Sequence, residues 1–373
     1  MAASAAAAAH RFQRVVVATD LEPDDVAMLY TLCKCASDAG ISQQSMYVML
    51  GEGSLETKSM VWHETKRALE KEFGDMNFQV AYTGVETGVE YDLFALDAEF
   101  NFPSETNVLR GGEAFWHSAL SRATLVICTR PPREWLEIRD ACEKLPDVDA
   151  PLFLYGGYNL RACGWAEARK ERLGALATHF KGGVHIVERG SFLGEDFDPM
   201  VHLPRFSVLE EPATAFAGVL RRLCGVWNKK MAEHKTGTLR RNFHLETSFA
   251  VYLADPTLEH VKEACANGWV HNPPRAVMDH IALDACRKHP YTSLLWADPL
   301  VVALAAAPPG PGMFETHALA DAGDITINPA FELAVDGAFL VPKQWHTLST
   351  EERAARRTWV AEMCEKLFLT ACE

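Results

Sequence analysis

Positive charge is scarce in this chain: 36 Lys and Arg residues stand against 50 Asp and Glu, a net charge of −14 over 373 residues. A duplex-binding surface displaces counterions with clustered Lys and Arg, so this balance argues against a nucleic-acid partner. The basic clusters are short, at Arg221 to Lys230, Lys235 to Arg241 and Arg353 to Arg357. They read as solvated helix and loop faces, with substrate phosphate binding as the alternative. No apolar run is long enough to cross a bilayer, so no membrane partner is implied. The ten cysteines form no CxxC pair, and Cys128 and Cys286 lie in apolar runs. That usage suits a reducing, cytoplasmic setting with cysteine as a small core residue. The Ala-rich opening MAASAAAAAH leaves no room for a signal core plus cleavage site before strand-like sequence begins by Val15. Residues 1–13 are expected to be a disordered tail. Two motifs are missing as well. Without G-x-G-x-x-G after the first strand a dinucleotide-binding dehydrogenase is disfavoured, and without G-x-S-x-G so is a serine hydrolase.

What is present is a globular composition, 48% hydrophobic and 10% aromatic, enough for a sizeable core. Residues 14–373 read as one domain, the Pro/Gly-rich Ala305 to Gly312 being a loop and not a boundary. Strand patterns fall at 14–18, 45–50, 77–82, 124–128, 152–155 and 183–187. Helical patterns fall between them, at about 24–36, 55–73, 112–122 and 133–144. This alternation predicts an α/β fold with a mostly parallel sheet flanked by helices. From about residue 213 the pattern is mainly helical, over 213–232, 258–266, 274–288, 298–306 and 350–371. The stretch 84–110 reads as looser.

The chemistry gathers where the first strand ends. Asp20, Glu22, Asp24 and Asp25 put four carboxylates within six residues. An acidic helix cap is the plain reading, since Asp caps helices and flanks Pro. A cap needs one carboxylate, however, and crowding more of them at a sheet end is unfavourable unless a cation neutralises them. Oxygen-only ligands point to calcium or magnesium, because zinc recruits His or Cys.

The run VVVATDLEPDDVAML resembles the opening of the inosine-uridine-preferring nucleoside hydrolases, a strand followed by D-x-D-P-G-x-D-D. Four further segments resemble that family in the same order. They are Leu50 to Glu56 (A-G-N-x-S-L-E), Thr124 to Pro131 (T-L-V-x-x-G-P-L), Leu154 to Gly157 (M-G-G) and Trp296 to Ala303 (H-D-P-L-A-V-A). Together they span roughly residues 14 to 310. The resemblance implies a nucleoside-hydrolase-like, Rossmann-like sheet and a Ca2+ ion held by Asp20, Asp25, the backbone carbonyl of Cys128, and Asp298. Asp298 alone could equally cap a helix ahead of Pro299. Asp20 would be the catalytic base toward a water of lowered pKa, attacking an anomeric carbon as its C–N bond breaks. Asp24 would bind the sugar hydroxyls.

The departures concern the substrate. Ala18 replaces the family's leading Asp, Leu21-Glu22 its Pro-Gly, and Glu52 its sugar-binding Asn. The N-x(5)-E-F-N clamp is broken, leaving Asn159 and Glu167 as candidates. The acidic run Glu195 to Asp198 is an alternative clamp or a solvated turn. Ala297 stands where some members carry a leaving-group His. His280, His289 and His317 are substitutes for it or ordinary surface and core residues. Trp296 either stacks on a flat leaving group or packs in the core.

The sequence therefore predicts a calcium-dependent N-glycoside hydrolase acting on a nucleoside or nucleoside-like small molecule. Two alternatives stand beside it: a hydrolase of the same fold with a different polar substrate, and a metal-containing binding protein without turnover. The resemblance also allows a homodimer or homotetramer.

Overall fold

A computed structural model describes residues 10–41, 44–51, 53–84, 108–130, 147–155, 179–187, 213–227, 258–267, 280, 297–306, 314–317, 339–342 and 348–364. Among them, β1 (Arg14–Thr19) is the pivot of the architecture. Its Val15 to Val17 run is β-branched and apolar throughout, which suits a strand covered on both faces. All three residues are buried accordingly.

From β1 the chain enters α1 (Pro23–Asp38), then β2 (Ser45–Leu50), α2 (Leu55–Phe73) and β3 (Asn77–Tyr82). After β4 (Leu109–Arg110) and α3 (Glu113–Leu120) it returns to the other side of β1 as β5 (Leu125–Cys128). The sheet then grows through β6 (Leu152–Tyr155) and β7 (Val184–Val187). Beyond them come α4 (215–227), α5 (Leu258–Ala266), α6 (Ala297–Ala306), β8 (Phe314–His317), β9 (Phe339–Pro342) and α7 (Thr350–Cys364). Among the described residues the sheet has nine strands in the order β4-β3-β2-β1-β5-β6-β7-β9-β8. Eight run parallel, and β8 closes one edge antiparallel to β9.

That order contains a reversal. Successive strands go outward from β1 through β2 and β3, and the next half begins at β5 on β1's other flank. Register pairs Val15 with Met46 on one side and with Leu125 on the other. In open parallel sheets such a switch point leaves a crevice beyond the strands' carboxyl ends, and ligands bind there. The loops after β1 and β5 flank it.

The helices set the walls. Ser54 caps α2 by accepting from the Thr57 N–H at 3.1 Å, satisfying a donor that the helix cannot. α6 packs along α1 and also meets β6. Leu300 to Leu304 in α6 and Val26 to Leu29 in α1 join one core with β1, β2 and β5. Full burial of each Val or Leu side chain contributes about 1.5–3 kcal/mol, so this contact fixes the two helices against each other.

The sequence-based boundaries hold within a residue or two for six strands, and three strands were missed. β4 lies in the stretch read as loose, and β8 and β9 lie in the part read as mainly helical. Phe314–His317 and Phe339–Pro342 are four-residue segments, too short to show a period, β8 lying at the edge of the sheet and β9 between it and β7. α1 begins at Pro23 with Glu22 as its cap, one residue before the expected start at Asp24. Within residues 10–13, expected in the tail, Phe12 is buried and Arg11 donates to the Ala305 carbonyl at 2.6 Å, at the end of α6, while His10 and Gln13 are exposed. The basic run Arg353 to Arg357 is not a uniformly solvated face, because Arg356 shares the buried side of α7 with Val360. The helices expected at 133–144 and 274–288 lie outside the described residues, apart from the helical His280.

Candidate metal and active site

The β1–α1 turn is shaped by short polar contacts. Leu21 adopts a left-handed backbone, φ 55°, with its side chain fully buried. Its N–H donates to Thr19 Oγ1 at 3.0 Å, and the Lys58 ammonium donates to the Asp20 carbonyl. Lys58 comes from α2 and is itself buried. The turn is thereby pinned on both sides of the bend. Glu22 then caps α1, its N–H donating to Asp25 Oδ2 at 3.1 Å.

This geometry sends Asp24 and Asp25 into the first turn of α1. Asp298 lies in the first turn of α6, which packs alongside. Helix N-termini carry partial positive charge, and two of them converge here on the carboxylates. One oxygen from each of Asp24, Asp25 and Asp298 lies within 4.8 Å of the others. Asp25 and Asp298 are buried, and Asp24 is partly exposed. Asp20, like Asp24, keeps some exposed surface.

Electrostatics record the crowding. Burial raises the Asp20 carboxyl well above the ordinary range, and neighbouring Asp25 adds to the rise while Lys58 and Arg130 oppose it. Asp24 is raised by burial, then by Glu22 and Asp20. Asp298 is raised by burial, then by Asp24 and Asp25. Asp25 sits between its neighbours: burial raises it, while hydrogen bonds from Asp20, Thr129 and Asp298 pull the other way. Without a counterion the cluster holds protons it would shed in water.

Two residues from the end of β5 complete the floor, and the sequence reading passed over both. Thr129 donates its hydroxyl to Asp25 Oδ1 at 2.5 Å. Arg130, 1% exposed, crosses the carboxyl edge of the sheet to reach the Met49 carbonyl at 3.3 Å and Thr83 Oγ1 at 3.0 Å. In the resembling motif these positions are Gly and Pro. Their departure from that pattern was the available signal.

The expected site residues divide into two groups. Asp20, Asp24, Asp25 and Asp298 come together at the switch point, and Cys128 ends β5 opposite Ala18 of β1. The three-carboxylate cluster includes Asp24 in place of Asp20, whose own contact is with the Asp25 carboxyl. Glu52, Asn159, Glu167 and Trp296 lie outside the described residues, as do Glu195 to Asp198 and His289. His280 is buried. His317 lies on β8 at the far edge of the sheet, away from β1.

No family model matches the sequence, and no curated protein matches it either. Solved structures do. The type III effector protein XopQ, in a structure titled as its complex with adenosine diphosphate ribose, superposes with a TM-score of 0.54 at 14% identity. That match covers 100% of both chains. The effector protein XOO4466 superposes with a TM-score of 0.51 at 13% identity, over 98% of this chain and 99% of its own.

The chain has the fold of these effectors. It is an α/β architecture, with a mostly parallel sheet flanked by helices. No helix among the described residues is long and apolar enough to cross a membrane.

Proposed function

We propose that this chain is a divalent-cation-dependent hydrolase of the N-glycosidic bond in a nucleoside or nucleoside-like compound. The observation that carries the reading is the meeting of Asp24, Asp25 and Asp298 at the switch point of a nucleoside-hydrolase-like sheet.

The donor set suits a hard cation. Its three clustered groups are all carboxylates, with oxygens within 4.8 Å of one another. Oxygens bound 2.3–2.6 Å from one calcium ion lie at most about 5 Å apart. The raised carboxyl groups supply the second argument, because a bound cation would displace those protons and remove the repulsion. Asp25, Asp298 and the Cys128 carbonyl, with Asp20 or Asp24, would hold Ca2+. When bound, the ion would supply a water of lowered pKa beside the sugar.

The chain's own residues divide the remaining work. Asp20 accepts the proton from the attacking water, with Lys58 and Arg130 favouring its charged form. Asp24, at the open side of the cluster, accepts from sugar hydroxyls and orients the ring. Glu52, Asn159, Glu167 and Trp296 stand as candidates for reading the rest of the substrate. Glu52 in place of the family's Asn redirects specificity away from ordinary ribonucleosides.

A second reading is favoured by the ligand in the XopQ structure. Adenosine diphosphate ribose contains a nucleoside N-glycosidic bond and two phosphates. A pocket of the same fold would take such a compound either as substrate or as a ligand without turnover.

The test is release of free base from a panel of nucleosides and adenosine diphosphate ribose, with and without a calcium chelator. Calcium-dependent release, lost in Asp20→Ala, supports the hydrolase. Binding of a panel member without release moves the chain to the second reading. A protein that takes up no divalent cation refutes the cation-dependent hydrolase.

A further inference from the structure

The acidic cluster is oriented by residues that do not belong to it. Asp25 is engaged at both carboxylate oxygens. Oδ1 accepts from the Thr129 hydroxyl at 2.5 Å, and Oδ2 accepts from the Glu22 N–H at 3.1 Å. A carboxylate with one donor can still swing about its Cβ–Cγ bond. Donors on both oxygens, from different segments, fix the plane of the group.

The two donors differ in what holds them. Glu22 belongs to the same turn as Asp25 and moves with it. Thr129 belongs to the end of β5, and its own N–H continues the β1–β5 ladder by donating to the Ala18 carbonyl at 3.0 Å. The hydroxyl also lies 3.3 Å from that carbonyl oxygen. Thr129 is buried, and β-branching restricts its side chain to few rotamers. The central sheet thus sets where the hydroxyl points, and the hydroxyl sets where the carboxylate points. A site built on strands is more sharply defined than one held by its loop alone. The resembling motif has glycine at this position, which offers no such donor.

We propose that Thr129 is a positioning residue for the metal site, its hydroxyl locking the Asp25 carboxylate to the sheet in the orientation that meets Asp24 and Asp298. The inference rests on the metal reading above. Asp25 remains the ligand; Thr129 acts through it. Loss of partners that orient a ligand typically lowers metal affinity about 10–100-fold.

The experiment uses the full chain freed of metal by chelation, with Ca2+ alone as the titrant followed by calorimetry. Thr129→Val keeps the side-chain shape and removes the hydroxyl, so Ca2+ affinity should fall by about 10–100-fold. Thr129→Ser restores the hydroxyl, and its affinity should return to near the wild-type value. Melting in chelator checks that each variant folds, and Thr129→Ala replaces the valine variant if that one does not. Wild-type affinity in Thr129→Val overturns the inference. So does a serine variant as weak as the valine variant, because the lost methyl group would then account for the effect. If wild type itself takes up no Ca2+, the metal reading fails and the inference falls with it. The wild-type titration separates that failure from the other two.

Discussion

Asp25 and Asp298 enter the same site from the N-termini of two helices packed side by side, one following the first strand and the other late in the chain. Their carboxyl groups are in hydrogen-bond contact. Two acids this close are tolerated while a proton or a cation lies between them. Asp298→Asn keeps the shape and a donor while removing the repulsion. In the presence of chelator at pH 8 this variant should be more stable than wild type, by on the order of 1–2 kcal/mol. The stabilisation that Ca2+ gives wild type should vanish in it. Thermal melts of both proteins, with and without Ca2+, check the pair of outcomes.

The same crowding gives the metal-free protein a pH dependence of definite sign. Asp20, Asp24, Asp25 and Asp298 all have folded pKa values above those of the unfolded chain. Raised carboxyls bind more protons folded than unfolded, so their stabilising contribution is present at low pH and is lost as pH rises through the folded values. In chelator, the difference in stability between wild type and Asp298→Asn should widen from pH 5 to pH 8. Saturating Ca2+ should flatten the wild-type curve over the same interval. A wild-type melting profile unchanged by Ca2+ at pH 8 would count against the site.

His185 titrates with the opposite effect. It stacks on Phe153 with ring centroids 4.2 Å apart and planes 3° from parallel. Burial, with Arg11 nearby, lowers it from 6.5 to about 4. A lowered histidine pKa contributes stability that is complete above 6.5 and is lost as pH falls toward 4. Wild type should therefore lose stability between pH 6.5 and 4 relative to His185→Phe, which keeps the stack and does not titrate. Denaturant melts across that range measure the difference.

Leu21 sets backbone strain against burial. Its φ of 55° costs a leucine on the order of 1 kcal/mol. Its buried side chain contributes more, about 2–5 kcal/mol by the cost of large-to-small changes at such positions. Leu21→Gly relieves the first and loses the second, so it should destabilise by about 1–4 kcal/mol. Chemical denaturation decides the sign. A stabilised glycine variant would mean that the turn, and not the core beneath it, dominates this position.

Much of this was legible in the sequence because the signals were local. Val15 to Val17 announced a doubly covered strand, and the helix expected over 55–73 forms over those residues. The four early carboxylates marked the site, since mutual repulsion of like charges follows from spacing alone. The resemblance supplied Asp298 as a distant partner. It could not supply Thr129 or Arg130, because both depart from the motif and their roles depend on which strand ends lie side by side. Nor did the sequence show that buried Lys58 reaches the Asp20 carbonyl from the second helix.

The sequence by itself determined the alternation of strands and helices and the crowding of negative charge after β1, since both depend on short-range spacing. Only the tertiary structure decided the site. Placing β5 against β1 brings the Thr129 hydroxyl to Asp25, and packing α6 against α1 brings Asp298 to the same point. Those two contacts join residues far apart in the chain. They form because burying the apolar faces of the strands and helices outweighs the cost of closing the long loops between them.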